Sequence, residues 1–281
     1  MEEKALRLSA VFLMILTAVS FVLLPKLPAL HTLEAREERI AEEEFAQSQV
    51  TMQNLKIKEQ NEAAGAKGEL SIRLPEGVTG DQIAVSNDYV TQTIRVEIPQ
   101  ADRTYFDSYP VLGKSDYIDG LSYTRQGEMG VIEVTTNKVY ELQTEYDAQN
   151  FYFNFLTPHE VYDKVVVIDA GHGGRAVGAN KQGINEKDID LAIVLKLKEI
   201  FDNSDQNIGV YYTRTDDSNP TFDQRVQLAN KSDADLFISI HNNSTRSGRM
   251  SGTSGTQVMY DETSEASRQF AQICLEEVTG R

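Results

Sequence analysis

Hydrophobic and polar positions follow each other in several different rhythms along this chain, and each rhythm predicts a different kind of structure. The first is no rhythm at all: from Leu8 to Pro25, LSAVFLMILTAVSFVLLP, 18 residues pass without a charge, with Lys4 and Arg7 before them and Lys26 after. That length fits a short transmembrane helix and also the apolar part of a long signal peptide. The small-x-small pattern Ala18-Val19-Ser20 lies inside the apolar run and no good cleavage site follows it. The expectation is therefore an uncleaved single-pass anchor in residues 1–30, with a secreted, cleaved chain as the alternative. Residues 31–68 are charged, most strongly in REERIAEEEF, and Leu33 and Ile40 stand one heptad apart. The spacing is not sustained through Val50, Met52, Leu55 and Ile57, so a coiled coil is not supported and a solvated, partly helical spacer is expected.

From residue 69 to about 160 the period becomes two. Leu70-Ser71-Ile72-Arg73-Leu74, Ile94-Arg95-Val96-Glu97-Ile98 and Phe151-Tyr152-Phe153-Asn154-Phe155 alternate apolar with polar, and turn residues gather between them at Pro75, Ser86 and Arg125. This predicts a small antiparallel all-β domain, a sandwich, whose aromatic residues form its core.

From 161 to 281 short aliphatic runs alternate with helical spacing. Val165-Val166-Val167-Ile168 runs into Asp169, Ala170 and a histidine among glycines, as a strand buried on both faces does. A helix is predicted over Glu186 to Phe201, capped by Asn185, with Ile189, Ile193, Leu197 and Ile200 on its inner face. A strand at Ile208 to Thr213 follows, then a helix from Phe222 with Thr221 and Gln224 at capping-box spacing. Leu236 to Ile240 is the next strand, ending in His241. A strand near Gln257 to Tyr260 and a helix from Ser264 to Val278 complete the series. The order predicts an α/β domain, an open, mostly parallel sheet with helices on both faces, incomplete at its C-terminus.

Composition removes some possibilities. A formal net charge of -16 and no basic stripe exclude nucleic acid as a partner. One cysteine, Cys274, excludes an internal disulfide framework and a cysteine-rich zinc site.

What remains for chemistry is a pair of histidines. His172 and His241 each follow directly on the carboxyl end of a predicted buried strand, where open α/β sheets place their ligands. Glu186 opens the first helix of the same region. Two imidazoles and one carboxylate suit a catalytic zinc ion, which takes three protein ligands and leaves a position for water. Each residue also has an ordinary account, since a loop histidine commonly serves as a hydrogen-bonding group and a helix N-terminus favours glutamate through its dipole. The residues alone leave both readings standing. Asp169, Ser239, Asn242 and Asn243 are candidates for substrate or supporting contacts at the same rim, and Arg214 with Asp216 or Asp217, and Arg225, read as structural ion pairs.

Five blocks in order, VVVIDAGHGG, GINEKDIDLAIVLKLKEIF, YYTRTDD, RVQLANKSDADLFISIHNNS and GTQVMY, resemble the zinc-dependent N-acetylmuramoyl-L-alanine amidases of bacterial cell walls. The resemblance covers about Val165 to Arg281, and implies that His172, Glu186 and His241 bind Zn2+. It also implies hydrolysis of the amide between the lactyl group of N-acetylmuramic acid and L-alanine, with peptidoglycan as partner and an extracytoplasmic location at the cell membrane. The β region more weakly resembles the amidase N-terminal (AMIN) type of wall-targeting domain. Family members carry a catalytic glutamate on a further strand, beyond the position matching Arg281, so no catalytic residue can be assigned. Glu276 and Glu277 are no substitute, and the expectation is a chain that binds zinc with impaired hydrolysis. The alternatives are a non-catalytic wall-binding or regulatory protein that keeps the zinc site, and another zinc amidohydrolase or carboxypeptidase that shares the ligand set but cuts within the stem peptide.

Overall fold

The computed structural model describes residues 53–59, 68–242 and 255–279. The apolar run at 8–25, most of the spacer and Asn243 lie outside them. Among the described residues no helix is long and apolar enough to cross a membrane. The fold is mixed α/β. Its described residues divide into two compact units, one made of those up to 169, 201–213 and 220–238, the other of 170–200, 214–219 and those from 239 onward.

The first unit holds a sandwich of two five-stranded sheets. Its strands are β1 (Gln53–Asn54), β2 (Lys58–Glu59), β3 (Leu70–Arg73), β4 (Ala84–Asp88) and β5 (Thr93–Pro99), then, after helix α1 (Arg103–Ser108), β6 (Leu112–Gly113), β7 (Ile118–Gln126), β8 (Met129–Thr136), β9 (Glu141–Tyr146) and β10 (Asn150–Leu156). One sheet runs β1-β7-β8-β5-β4 and the other β2-β6-β3-β10-β9. The alternation expected for β5 and β10 is present: Ile94, Val96, Ile98, Phe151, Phe153 and Phe155 are buried in one core. In β3 it is imperfect, because Ser71 is buried along with Leu70 and Ile72. The end of the supposed spacer is also part of the sandwich. Leu55 N donates to Leu121 O, Lys58 N donates to Val111 O, and Leu55 and Ile57 pack on the core. Leu55-Lys56-Ile57-Lys58 has the strand period of two, which a search for heptads passes over.

A third sheet has β11 (Lys164–Ala170) at its centre, after the short helix α2 (Pro158–Val161). Four consecutive aliphatic residues, Val165 to Ile168, are buried, as both faces of a central strand require. A small hairpin of β12 (Asn180–Lys181) and β13 (Ile184–Asn185) leads into helix α3 (Glu186–Asp202), and β14 (Ile208–Tyr212), α4 (Phe222–Lys231) and β15 (Leu236–Ile240) follow. The strand order is β14-β11-β15, with β14 parallel to β11. β15 runs the same way, since Asp235 N donates to Val165 O at one end and Gly171 N to Ile240 O at the other.

Three expectations for this region need correction. Residues 257–260 form no strand, and β15 is the edge of the sheet among the described residues, with Phe237 exposed. The inner face of α3 is Glu186, Asp190 and Val194, while Ile189, Ile193 and Ile200 are exposed. That helix turns two carboxylates, Glu186 and Asp190, inward, so its apolar residues give the wrong face. Asn185 caps nothing: its Oδ1 accepts from Asn180 Nδ2 across the hairpin. The capping box at Thr221 and Gln224 is formed as predicted. The last helix, α5 (Glu265–Thr279), buries Ala271, while Ala266, Ile273 and Val278 are exposed.

Sandwich and sheet share a second core within the first unit. Val139 from the sandwich packs with Val165, Val167, Tyr211 and Leu228. Above it the Glu141 carboxylate accepts from the phenols of Tyr89 and Tyr211 at 2.9 and 2.6 Å, and burial together with this carboxylate pushes both phenols well above the usual tyrosine range.

Candidate metal centre

The order β14-β11-β15 means that the chain leaves β11 for one neighbour and later returns to the other. The crevice at such a reversal, outside the carboxyl ends of the strands, is where open α/β sheets bind ligands. His172 and His241 stand at the ends of the two strands involved, β11 and β15, and their rings lie 4.8 Å apart, edge to face at 85°. Both point to one oxygen. His172 Nε2 is 3.2 Å and His241 Nδ1 3.1 Å from Glu186 Oε1.

Glu186 is held from several sides. Its Oε1 also accepts from Asn242 N at 2.9 Å, and its Oε2 accepts from Ala179 N at 2.7 Å. Burial works to raise its pKa, but the hydrogen bonds from Ala179 N, His241 and Asn242 N and the nearness of His172 outweigh it and hold the carboxyl below its ordinary value. One turn along α3, Asp190 is fully buried, and its Oδ1 accepts from Asn242 Nδ2 at 2.7 Å. Burial dominates there and shifts the Asp190 carboxyl upward, with Glu186 adding to the shift and the Asn242 bond opposing it. Donor atoms of His172, Glu186, Asp190 and His241 all lie within 4.8 Å of one another.

The glycines around His172 are explained by close approach. A Cβ at Gly171 would sit 2.4 Å from His241 Cε1, and one at Gly178 would sit 2.6 Å from Glu186 Oε2 and 2.7 Å from His172 Cδ2. His172 itself adopts φ +60°, a left-handed conformation that costs a non-glycine residue about 1 kcal/mol or more and is sustained only by its surroundings. Arg214 supplies much of that support. It is buried, and its guanidinium donates to the carbonyls of Ala170 and Gly171, the two residues before His172, of Lys187, next to Glu186, and of Asp216. Lys187 Nζ adds bonds to Gly174 O and to the Asp217 carboxylate. Arg214 thus works on main-chain oxygens, and the ion-pair partner of Asp217 is Lys187.

The other expected residues fall as follows. Asn242 is in the cluster through both its main chain and its side chain. Asp169 is buried with Thr213 and Arg225, whose Nη1 forms a short ion pair with its carboxylate, so the Arg225 pair is present. Ser239 is exposed on β15, and Asn243 lies outside the described residues. Asp190 was not anticipated. The available signal was its position four residues after Glu186, which places two carboxylates on one helix face.

The donor set fits a zinc ion: two imidazole nitrogens and a buried carboxylate converge, and an adjacent buried carboxylate oxygen, Asp190 Oδ2, has no hydrogen-bond partner among the described residues.

Comparison with known proteins finds likenesses over the part of the chain that holds this cluster. The family profile described as N-acetylmuramoyl-L-alanine amidase matches residues 166–281. The endolysin of Bacillus phage SPP1 is 45% identical over 86 residues, 31% of this chain and 31% of its own length. The sporulation-specific N-acetylmuramoyl-L-alanine amidase of Bacillus subtilis (strain 168) is 39% identical over 79 residues, 28% of this chain and 31% of its own length. The chain thus spans less than a third of each of these relatives. The solved catalytic domain of CwlV, an N-acetylmuramoyl-L-alanine amidase from Bacillus (Paenibacillus) polymyxa var. colistinus, is 38% identical, covering 39% of this chain and 59% of that one at a TM-score of 0.36. The match leaves the sandwich unassigned and takes in every residue of the metal cluster. The likeness to N-acetylmuramoyl-L-alanine amidases is thus a likeness of residues 166–281.

Proposed function

We propose that this protein is a peptidoglycan amidase that hydrolyses the bond between N-acetylmuramic acid and L-alanine, with zinc held by His172, Glu186 and His241. The observation that carries this reading is the convergence of both strand-end imidazoles on one Glu186 oxygen, inside the region that matches the amidase family. Bound zinc supplies a polarised carbonyl and a water of lowered pKa, about 7 in hydrolytic zinc enzymes.

The chain's own residues have three tasks. Glu186, buried and fixed by Ala179 N and Asn242 N, stays ionised and keeps one oxygen turned to the histidines. His172 is presented by a loop that Arg214 ties down at the carbonyls of the two residues before it, Ala170 and Gly171. His241 is set by the end of β15 and by contact with the bare backbone of Gly171. With this substrate goes a location outside the cytoplasmic membrane, where peptidoglycan lies.

The test is digestion of purified peptidoglycan by the zinc-loaded chain, with identification of the new ends. The expected products are a free lactyl carboxyl on the glycan and a free amino group on L-alanine, both lost in His241→Ala together with the zinc. New termini within the stem peptide would replace the amidase reading with a carboxypeptidase one. Full zinc content in His241→Ala would overturn the ligand assignment.

A further inference from the structure

We infer that Asn242 is the positioning residue of the metal centre: its main chain fixes the ligand oxygen of Glu186, and its side chain, anchored on Asp190, keeps that main chain in place. The inference rests on reading the cluster as a metal site and deepens it.

Asn242 directly follows His241, at the point where the sheet lets go of the chain. β15 ends at Ile240, whose O accepts from Gly171 N. Past that point Asn242 takes hold of helix α3 twice. Its N donates to Glu186 Oε1 at 2.9 Å, and its Nδ2 donates to Asp190 Oδ1 at 2.7 Å. Glu186 and Asp190 stand about one turn apart on the inner face of α3, so a single residue spans both. The oxygen that Asn242 N fixes is the one both imidazoles face, 3.1 Å from His241 Nδ1 and 3.2 Å from His172 Nε2. The other oxygen, Oε2, accepts from Ala179 N. The Glu186 carboxylate is thus held at both oxygens, and its rotation is set by the protein as a metal ligand requires.

The side-chain bond decides how firmly. A main-chain N–H is aimed by the torsions on either side of it, and past the end of a strand nothing in the sheet fixes them. Asp190 is fully buried on a helix, so its bond to Asn242 turns a loop N–H into a fixed donor. The residue types suit this task. An amide donates to a buried carboxylate without bringing a positive charge towards the cation, as Lys or Arg would. Asp190 acts through Asn242 and stays outside the ligand set, which leaves the fourth position of the cation to water.

The test compares the whole chain with Asn242→Ala, Asp190→Ala, the two together, and Asp190→Asn. Each is loaded with Co2+ for its visible absorption, titrated with Zn2+ against a chromophoric chelator, and unfolded by heat without metal. The wild-type chain is expected to take up one cation. Asn242→Ala and Asp190→Ala are each expected to bind at least about 10-fold more weakly, with altered cobalt bands. The double variant is expected to bind within about twofold of Asp190→Ala, because both changes remove the same bond. Asp190→Asn keeps an oxygen that accepts from Asn242, and is expected to keep the wild-type bands. A purely structural bond would lower the unfolding temperature of the alanine variants and leave their affinity and bands as in the wild type, and that result would overturn the inference alone. Altered bands in Asp190→Asn would put the Asp190 carboxylate on the cation and would overturn it as well. A wild-type chain that takes up no cation would overturn the metal reading and this inference together. If an alanine variant does not fold, serine at the same position, one bond too short for the contact, is read in its place.

Discussion

Gly171→Ala adds a single methyl group at the point where the backbone after β11 touches the ring of His241. The new Cβ would stand 2.4, 2.6 and 2.7 Å from Cε1, Nδ1 and Nε2 of that ring. Non-bonded atoms of this kind rest at about 3.5–4.0 Å, so the ring or the loop must retreat by about 1 Å. His241 Nδ1 is 3.1 Å from Glu186 Oε1, and a retreat of that size breaks the contact. Overpacking of this sort costs about 1–3 kcal/mol of stability. The effect on metal is sharper, because ligand distances tolerate only about 0.2 Å of error. Zinc affinity is expected to fall by more than about 10-fold, or 1.4 kcal/mol. It is measured by competition with a chromophoric chelator, alongside thermal unfolding with and without zinc. Gly120→Ala is the control: its Cβ would meet Thr135 at 3.7 Å, an ordinary contact in the sandwich, and zinc affinity should not change. A Gly171→Ala chain that binds zinc within twofold of wild type would show that the His241 ring is not held where the geometry puts it.

Two further predictions concern the frame around the site. Arg214→Met leaves four carbonyls without their donor, and at about 1 kcal/mol for each hydrogen bond should lower unfolding stability in urea by about 3–4 kcal/mol. Arg214→Lys should recover less than half of this, since one ammonium cannot reproduce a planar fork, and a loss under about 1 kcal/mol in Arg214→Met would refute the role. Asp235 accepts from Val165 N and Lys164 Nζ, with His159 nearby, and these contacts, the Val165 bond first, hold its pKa below the ordinary value. A depressed folded pKa adds stability that is fully present above the unfolded value of about 4 and is lost as pH falls through the folded value. The stability gap between wild type and Asp235→Asn should therefore be constant above about pH 5 and close below about pH 4. A gap that stays constant down to about pH 2 would refute the linkage.

Much of this architecture is legible in the residues, and the failures share a cause. Strands whose two faces differ, such as β5 and β10, announce themselves by period two. The central strand β11 announces itself as a run of aliphatics because both its faces are covered. The positions of His172 and His241 follow from those strands, and their meeting follows from the order β14-β11-β15. Helix α3 misleads because apolar patterning assumes that the inner face of a helix is apolar. Here that face holds Glu186 and Asp190, and the chemistry of the site overrides the pattern. The same assumption hid Asp190, whose spacing from Glu186 was visible throughout. Residues 55–58 were passed over because a four-residue alternation is short beside the charged segment that precedes it. The strand expected at 257–260 had β-forming residues, yet that segment takes no strand conformation.

The apolar cluster of Val139, Val165, Val167, Tyr211 and Leu228 has a consequence for modularity. The sequence changes character near residue 161, and a protein engineer would place a junction there to exchange the sandwich for another targeting module. Such a graft would strip Val139 and Glu141 from the flank of β11 and β14, leaving Tyr211 without the carboxylate that receives its phenol and a dry seam open to water. The recognisable motif begins at one place and the cooperative structure at another, so any replacement module would have to bring its own valine and its own acid to that seam.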